Sequence, residues 1–156
     1  MLLSTKGRYA VMAIVEVARQ SDARPISLGD IASRLELSLA YLEQLFMKLR
    51  RSGLVRSIRG PGGGYVLGRD ANAISIGEVM AAVDEPVRMT RCISEGEGCV
   101  ASRRCNTHFL WDALGSHIEQ FLSTATLADV LHGRYSAPGA SISLSELAAA
   151  AKVQSS

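Results

Sequence analysis

The sequence predicts a mostly α-helical protein carrying one small β-hairpin, and three features lead to that expectation. Six stretches each follow a Ser, Thr or Asn able to cap a helix, and most of them repeat apolar residues at helical spacing. A single pair of short β-branched runs flanks the turn Arg59-Gly60-Pro61-Gly62-Gly63-Gly64. With 47% hydrophobic but only 5% aromatic residues in 156, the core must be built from aliphatic side chains.

Ser4 or Thr5 caps a first helix to about Gln20, with Ala10, Ala13, Ile14, Val17 and Ala18 as its inner stripe. Asp22 to Pro25 reads as a loop. Ser27-Leu28-Gly29-Asp30 opens a short second helix in the manner of a capping box, with Ile31, Ala32 and Leu35 inward and an end near Glu36. Ser38 then caps a third helix to Arg51, stopped by Ser52-Gly53. Its buried stripe is Leu39, Leu42, Phe46 and Leu49, with Leu45 beside it. Ala40, Gln44, Met47, Lys48 and Arg51 fall on the opposite face, and Tyr41 and Glu43 on its flanks. Leu54 to Ile58 and Tyr65 to Leu67 are the hairpin strands. Ser75-Ile76-Gly77-Glu78 opens a fourth helix, with Ile76, Val79, Met80 and Val83 inward. Asn106 or Thr107 caps a longer fifth helix, and Thr126 caps a short sixth that ends at Gly133.

Charge separates a binding surface from a scaffold. Between Gln44 and Arg69 lie six basic residues (Lys48, Arg50, Arg51, Arg56, Arg59 and Arg69) and no acid. Of the 17 basic and 15 acidic residues in the chain, 11 basic and 15 acidic remain elsewhere, so the overall +2 conceals one strongly basic segment. Helix, tight turn, helix and basic hairpin is the layout of a winged helix-turn-helix, and its charge suits the DNA phosphate backbone. Gln44 suits adenine, Glu43 a cytosine amino group, and Arg59 beside Gly60 a minor groove. Lys48 and Arg51 suit phosphates, while Lys6 and Tyr9, with Arg8, stand in the opening turn of the first helix. A phosphate-cradling nucleotide loop does not fit, because the glycines lie between strands without the lysine-serine and helix of a P-loop.

No run approaches the ~18 apolar residues of a membrane span. Lys6, Arg8, Glu16 and Arg19 are spread through the N-terminus, unlike a signal peptide, so the expected location is cytoplasmic with no membrane partner. All three cysteines fall in one window, as Cys92-x6-Cys99-x5-Cys105-x2-His108. In a reducing compartment that set points to metal or redox chemistry before a disulfide framework. Three thiolates and an imidazole suit either structural zinc or an iron–sulfur centre. Wide cysteine gaps favour the second. His117 and His132 read as ordinary helix residues.

Leu110, Leu114, Ile118, Phe121 and Leu122 form a stripe on the fifth helix, extended by Phe109 and Trp111, that the small winged domain does not obviously cover. Pairing with a second subunit would bury it. The expected organisation is therefore a winged domain over residues 1–83, a cysteine loop over 84–105, dimerisation helices over 106–133, and a mobile Ser/Ala-rich tail over 134–156.

Several stretches carry a more specific likeness: TKGRYAV, SLAYLEQLF, RGPGGGY, GEVMAAVDE followed by Arg91-Cys92, and Cys105-Asn106-Thr107-His108 with Leu110-Trp111. Over residues 1 to about 132 the chain resembles the bacterial winged-helix regulators of iron–sulfur cluster assembly genes. It departs from them at Ala40, where serine is usual, and in a first cysteine gap longer by one residue. The resemblance implies a homodimer in which each subunit holds one [2Fe–2S] cluster through Cys92, Cys99, Cys105 and His108. It also implies binding to a pseudo-palindromic double-stranded operator, controlled by cluster occupancy, through residues that include Ser38, Ala40 and Tyr41. Two rivals stand beside it: a winged-helix regulator whose cysteines hold zinc or sense oxidants, and an iron–sulfur electron carrier. The carrier leaves the basic helix and hairpin unexplained, and no catalytic pair suggests an enzyme.

Overall fold

The computed structural model of the chain describes residues 4–20, 24–85 and 105–135. In order these form α1 (Thr5–Ala18), α2 (Leu28–Leu35), α3 (Leu39–Arg51), β1 (Val55–Ile58), β2 (Gly64–Leu67), a 3-10 turn (Ala71–Ala73), α4 (Ile76–Ala82), α5 (His108–Thr124) and α6 (Leu127–Leu131). Strands β1 and β2 pair antiparallel, with Val55 opposite Leu67 and Ile58 opposite Gly64. The described residues are mostly helical with a single hairpin, as the sequence predicts.

Local chemistry starts these helices where the hydroxyl residues fall. Ser4, Ser27 and Ser38 each accept a hydrogen bond from the backbone N–H three residues on, at 3.1, 3.1 and 3.2 Å. Ser75 with Glu78 and Thr126 with Asp129 form complete capping boxes. Glu36 ends α2 in a left-handed conformation, and the N–H of Leu37 reaches the Ala32 carbonyl at 3.0 Å. That tight reversal sets α3 across α2.

The core gathers Ala10, Ala13, Ile14 and Val17 of α1, Ile31 of α2, Leu42, Leu45, Phe46 and Leu49 of α3, and Val79 and Val83 at α4. Ala125 and Leu127 join the same cluster. The segment around α6 is tied to the start of α4 by a bridge between Ser75 and Thr126 and by the Ile76 N–H to the Ala125 carbonyl, 2.8 Å. Among the described residues one charged group is buried with the apolar side chains: Glu16 of α1 accepts from Arg19 at 2.9 Å and from Arg34 of α2 at 3.1 Å, so it pins the two helices together.

The hairpin is fastened near its turn, one strand pair from the last. Ile26 and Tyr65 exchange backbone hydrogen bonds of 3.1 and 2.8 Å. At Gly64, φ is +157°, and any side chain there would collide with the Ile26 carbonyl, so only glycine lets these backbones meet. The Tyr65 ring then packs edge-on against buried Phe46, with centroids 4.8 Å apart.

Several details depart from the sequence expectation. Leu39, placed in the buried stripe of α3, is the first residue of the helix and is 47% exposed. Ala18 is only half-buried, and α1 ends there rather than at Gln20. No side-chain cap starts α5; the Thr107 hydroxyl instead accepts from Trp111 Nε1 at 3.2 Å. Arg134 and Tyr135, the two described residues of the expected tail, stay on the fold. Gly133, at φ +62°, turns the chain back, so that Arg134 pairs with Asp129 at 3.0 Å and the Tyr135 ring meets Phe121 at 5.7 Å. Residues 1–3, 21–23, 86–104 (with Cys92 and Cys99) and 136–156 lie outside the described residues.

Because Phe46 joins α3, the core and the hairpin, Phe46→Ala is expected to lower unfolding stability by about 3–5 kcal/mol. Urea denaturation checks this, and a loss below about 1 kcal/mol would contradict the packing described.

Candidate nucleic-acid interface and cysteine–histidine site

The inward stripe of α3 fixes what its outer face presents. With Leu42, Leu45, Phe46 and Leu49 fully buried, Ala40, Glu43, Gln44, Met47 and Arg51 are turned to solvent. Ser38 is exposed at the head of this face, although its hydroxyl is already used as the cap. Tyr41 is half-buried and meets Tyr9 of α1 edge-to-face, with centroids 6.1 Å apart. Its phenol is pushed above the ordinary range, first by burial and then by Tyr9 and Glu85.

Arg59 and Gly60 stand exposed at the hairpin tip, beyond the last strand pair. Gly60 and Gly62 both take positive φ, +105° and +71°, and the Gly63 N–H closes the turn onto the Gly60 carbonyl at 2.9 Å. The tip therefore carries a cation on a turn with little side-chain bulk. Of the sequence-predicted residues, Ser38, Ala40, Glu43, Gln44 and Arg51 of the α3 segment and Arg59 and Gly60 of the hairpin tip are exposed, while Tyr41 and Lys48 are half-buried.

The six cations of the basic segment are not equivalent. Arg50, Arg51, Arg56 and Arg59 are exposed, with no ion pair to a carboxylate among the described residues. Arg69 pairs with Glu78 at 2.9 Å. Lys48 pairs with Asp84, and Lys6 lies 3.6 Å from Glu85. The hydrogen bond to Asp84 holds the Lys48 ammonium above its ordinary range and, in return, holds the Asp84 carboxyl below its own. Sequence reasoning missed these two acids, and no local signal would have found them, since Lys48 and Asp84 stand 36 residues apart.

Of the four sequence-predicted metal ligands, Cys105 and His108 are described. They flank the start of α5, and the His108 N–H bonds the Cys105 carbonyl at 3.1 Å. The Cys105 Sγ is partly exposed, 3.4 Å from the Thr107 hydroxyl. His117 and His132 each place Nδ1 against the carbonyl four residues back, at 2.9 and 2.6 Å, as ordinary helix residues do.

Helix α5 divides its apolar residues between two settings. Leu122 packs on the chain's own core, Gly115 is buried and Ile118 is half-buried. Phe109 and Phe121 are 72% and 56% exposed, and Leu110, Trp111 and Leu114 are exposed as well. Leu122 is thus turned to its own subunit rather than outward with the rest of the predicted stripe. No helix among the described residues is long and apolar enough to cross a membrane.

Residues 3–133 match the model of the Rrf2 family, described as iron-dependent transcriptional regulators. The HTH-type transcriptional regulator IscR of Yersinia pseudotuberculosis is 52% identical over 134 residues, which cover 86% of this chain and 81% of that one. The solved structure of T. potens IscR superimposes with a TM-score of 0.69 at 35% identity, covering 89% of this chain and 94% of that one. CymR, the global cysteine regulator of B. subtilis, gives 0.70 at 35% identity over 83% and 95%. These relatives are named as regulators and not as enzymes. The winged helix-turn-helix, its basic face and these likenesses agree: the chain belongs to the Rrf2 family of DNA-binding transcriptional regulators and is of the IscR type.

Proposed function

We propose that the chain works in the cytoplasm as a homodimer that reads a pseudo-palindromic operator and couples that reading to a [2Fe–2S] cluster, one per subunit, to control iron–sulfur cluster biogenesis genes. The observation that carries the DNA half is the exposed row on α3 beside an arginine-tipped hairpin. In this reading the winged domain spans residues 1–83, the ligand loop 84–105 and the dimerisation segment 106–133. Gln44 pairs with adenine, Glu43 accepts from a cytosine amino group, and the small Ala40 lets the helix approach the base edges. Arg59 and Gly60 enter the minor groove. Lys48 and Arg51 hold phosphates, and Ser38, Tyr41, Lys6 and Tyr9 complete the contact surface.

The exposed part of α5 supports the dimer. Phe109, Leu110, Leu114 and Phe121 leave an apolar surface that a second copy would cover, with half-buried Ile118 at its edge. Leu122 contributes from beneath, by seating α5 on its own core. Two such subunits would present their α3 helices to successive major grooves about one helical turn apart.

Cys105 and His108 fit the proposed cluster in donor chemistry, a thiol and an imidazole three residues apart at the start of a helix. With Cys92 and Cys99 they would make a set of three thiolates and one imidazole. When bound, the cluster supplies a centre that responds to iron supply and oxidation. Its two described ligands sit at the head of α5, so ligation bears directly on the helix proposed to join the subunits. The family description as iron-dependent and the IscR relatives support this half.

Gln44→Ala is expected to weaken binding to an operator selected from random duplexes by about 1–3 kcal/mol, with random-duplex affinity unchanged. Equal losses on both, read by fluorescence anisotropy, would remove Gln44 from base reading. Leu114→Glu with Ile118→Glu should give monomers in sedimentation, since each buries an unpaired charge in the seam. A dimer that survives both changes would place the interface elsewhere. Protein purified without oxygen should contain iron and sulfide and absorb in the visible. His108→Ala should lose iron faster, and His108→Cys should retain it at a lower reduction potential, because thiolate donates more charge than imidazole. Colourless protein after reconstitution with iron and sulfide would defeat the cluster reading.

A further inference from the structure

The two lysines nearest the proposed DNA face are each held by a carboxylate of the same chain. Lys48 of α3 donates to Asp84, and Lys6 of α1 lies 3.6 Å from Glu85. The acids are consecutive and follow α4 directly. Asp84 takes a left-handed φ of +58°, and the Asp84 and Glu85 N–H groups return to the Ala81 and Met80 carbonyls at 3.0 and 3.1 Å. That turn sets both carboxylates against the neighbouring α1 and α3. Glu85 also packs on the first turn of α1, where a Cβ at Gly7 would lie 3.6 Å from its own. The pairing therefore belongs to the fold of this segment rather than to chance encounters of long side chains.

We infer that Asp84 and Glu85 set the specificity of DNA binding by occupying Lys48 and Lys6, which limits attraction to DNA of any sequence. The inference rests on the DNA-binding reading above. A duplex phosphate that approaches either lysine must displace a carboxylate or accept it as a like-charged neighbour. A lysine already neutralised also contributes less to counterion release, the term that dominates sequence-independent affinity. The pairs act as a throttle and not as a lock. The Asp84 side chain is 75% exposed, so water and salt screen the attraction, and a well-placed operator phosphate can exchange for it. Base contacts from α3 are untouched by the exchange, so generic binding is suppressed more than operator binding.

The test uses the full chain with Asp84→Asn and Glu85→Gln, singly and together. Asparagine tolerates the left-handed backbone of position 84, so the first change removes a charge without straining the turn. Affinity for a random duplex and for a selected operator is measured across salt concentrations. Glu119→Gln, an equal change of net charge on the exposed surface of α5, serves as the comparison. Each acid variant is expected to bind random DNA several-fold more tightly at low salt. Each should steepen the log–log salt slope by up to about 0.9, and the operator-to-random ratio should fall. In a Lys48→Gln background the effect of Asp84→Asn should vanish, because the pair is the cause. Three results would overturn the inference alone: slopes equal to the Glu119→Gln comparison, weaker random binding in Asp84→Asn, or an unchanged effect without Lys48. A wild-type protein that binds neither duplex would overturn the DNA-binding reading, and this inference with it.

Discussion

The fold turns on the inner face of α3. Leu42, Leu45, Phe46 and Leu49 recur at helical spacing, and all four are removed from water against α1, α4 and the strands. A helix with one face so committed has no rotational freedom left. Its outer face is then determined, and Gln44 cannot turn inward without expelling Phe46 or Leu49. The same burial orients the hairpin, since Tyr65 packs on Phe46 while its backbone pairs with Ile26. One hydrophobic stripe therefore sets the relation between the helix that presents Gln44 and the turn that carries Arg59.

Around that apolar centre, polar groups act as fasteners. Hydroxyl caps start five of the six α-helices among the described residues. Buried Glu16 ties α1 to α2 through two arginines, and leaving it without them would strand a carboxylate in a dry place. Asp84 and Glu85 belong to a different class. They are exposed enough to exchange partners, and they meet the lysines where an anionic ligand is expected to arrive. The Glu16 pairs centre on a buried carboxylate, whereas the Asp84 and Glu85 pairs lie beside the proposed working face.

Helix α5 shows how one element can serve two surfaces. Its inner side accepts close backbone contact: a Cβ at Gly77 of α4 would stand 3.2 Å from the Leu122 carbonyl, so a larger residue there would force α4 and α5 apart. Its outer side leaves large apolar groups exposed among the described residues, the surface proposed to meet a second copy. At its head, the Thr107 hydroxyl is drawn to Trp111 and the Cys105 thiol rather than to a backbone cap. Thr107 thus links the Cys105 thiol to Trp111 at the start of the helix.

What the sequence determined by itself is whatever depends on near neighbours along the chain. Caps need a hydroxyl and an amide three residues apart, stripes need a period of 3.6, and a hairpin needs two short runs around glycines. Hence the six helices, the hairpin, the outward row of α3 and the Cys105–His108 spacing were all legible. The exposure of Leu39 was not, because periodicity places a residue on a face but does not say how far the neighbouring helix extends over it. Tertiary structure alone decided that Lys48 meets Asp84, that Lys6 meets Glu85, that Leu122 turns to its own core and that Tyr135 folds back on Phe121. Each of these follows from how whole elements pack, and packing juxtaposes residues that no local spacing relates.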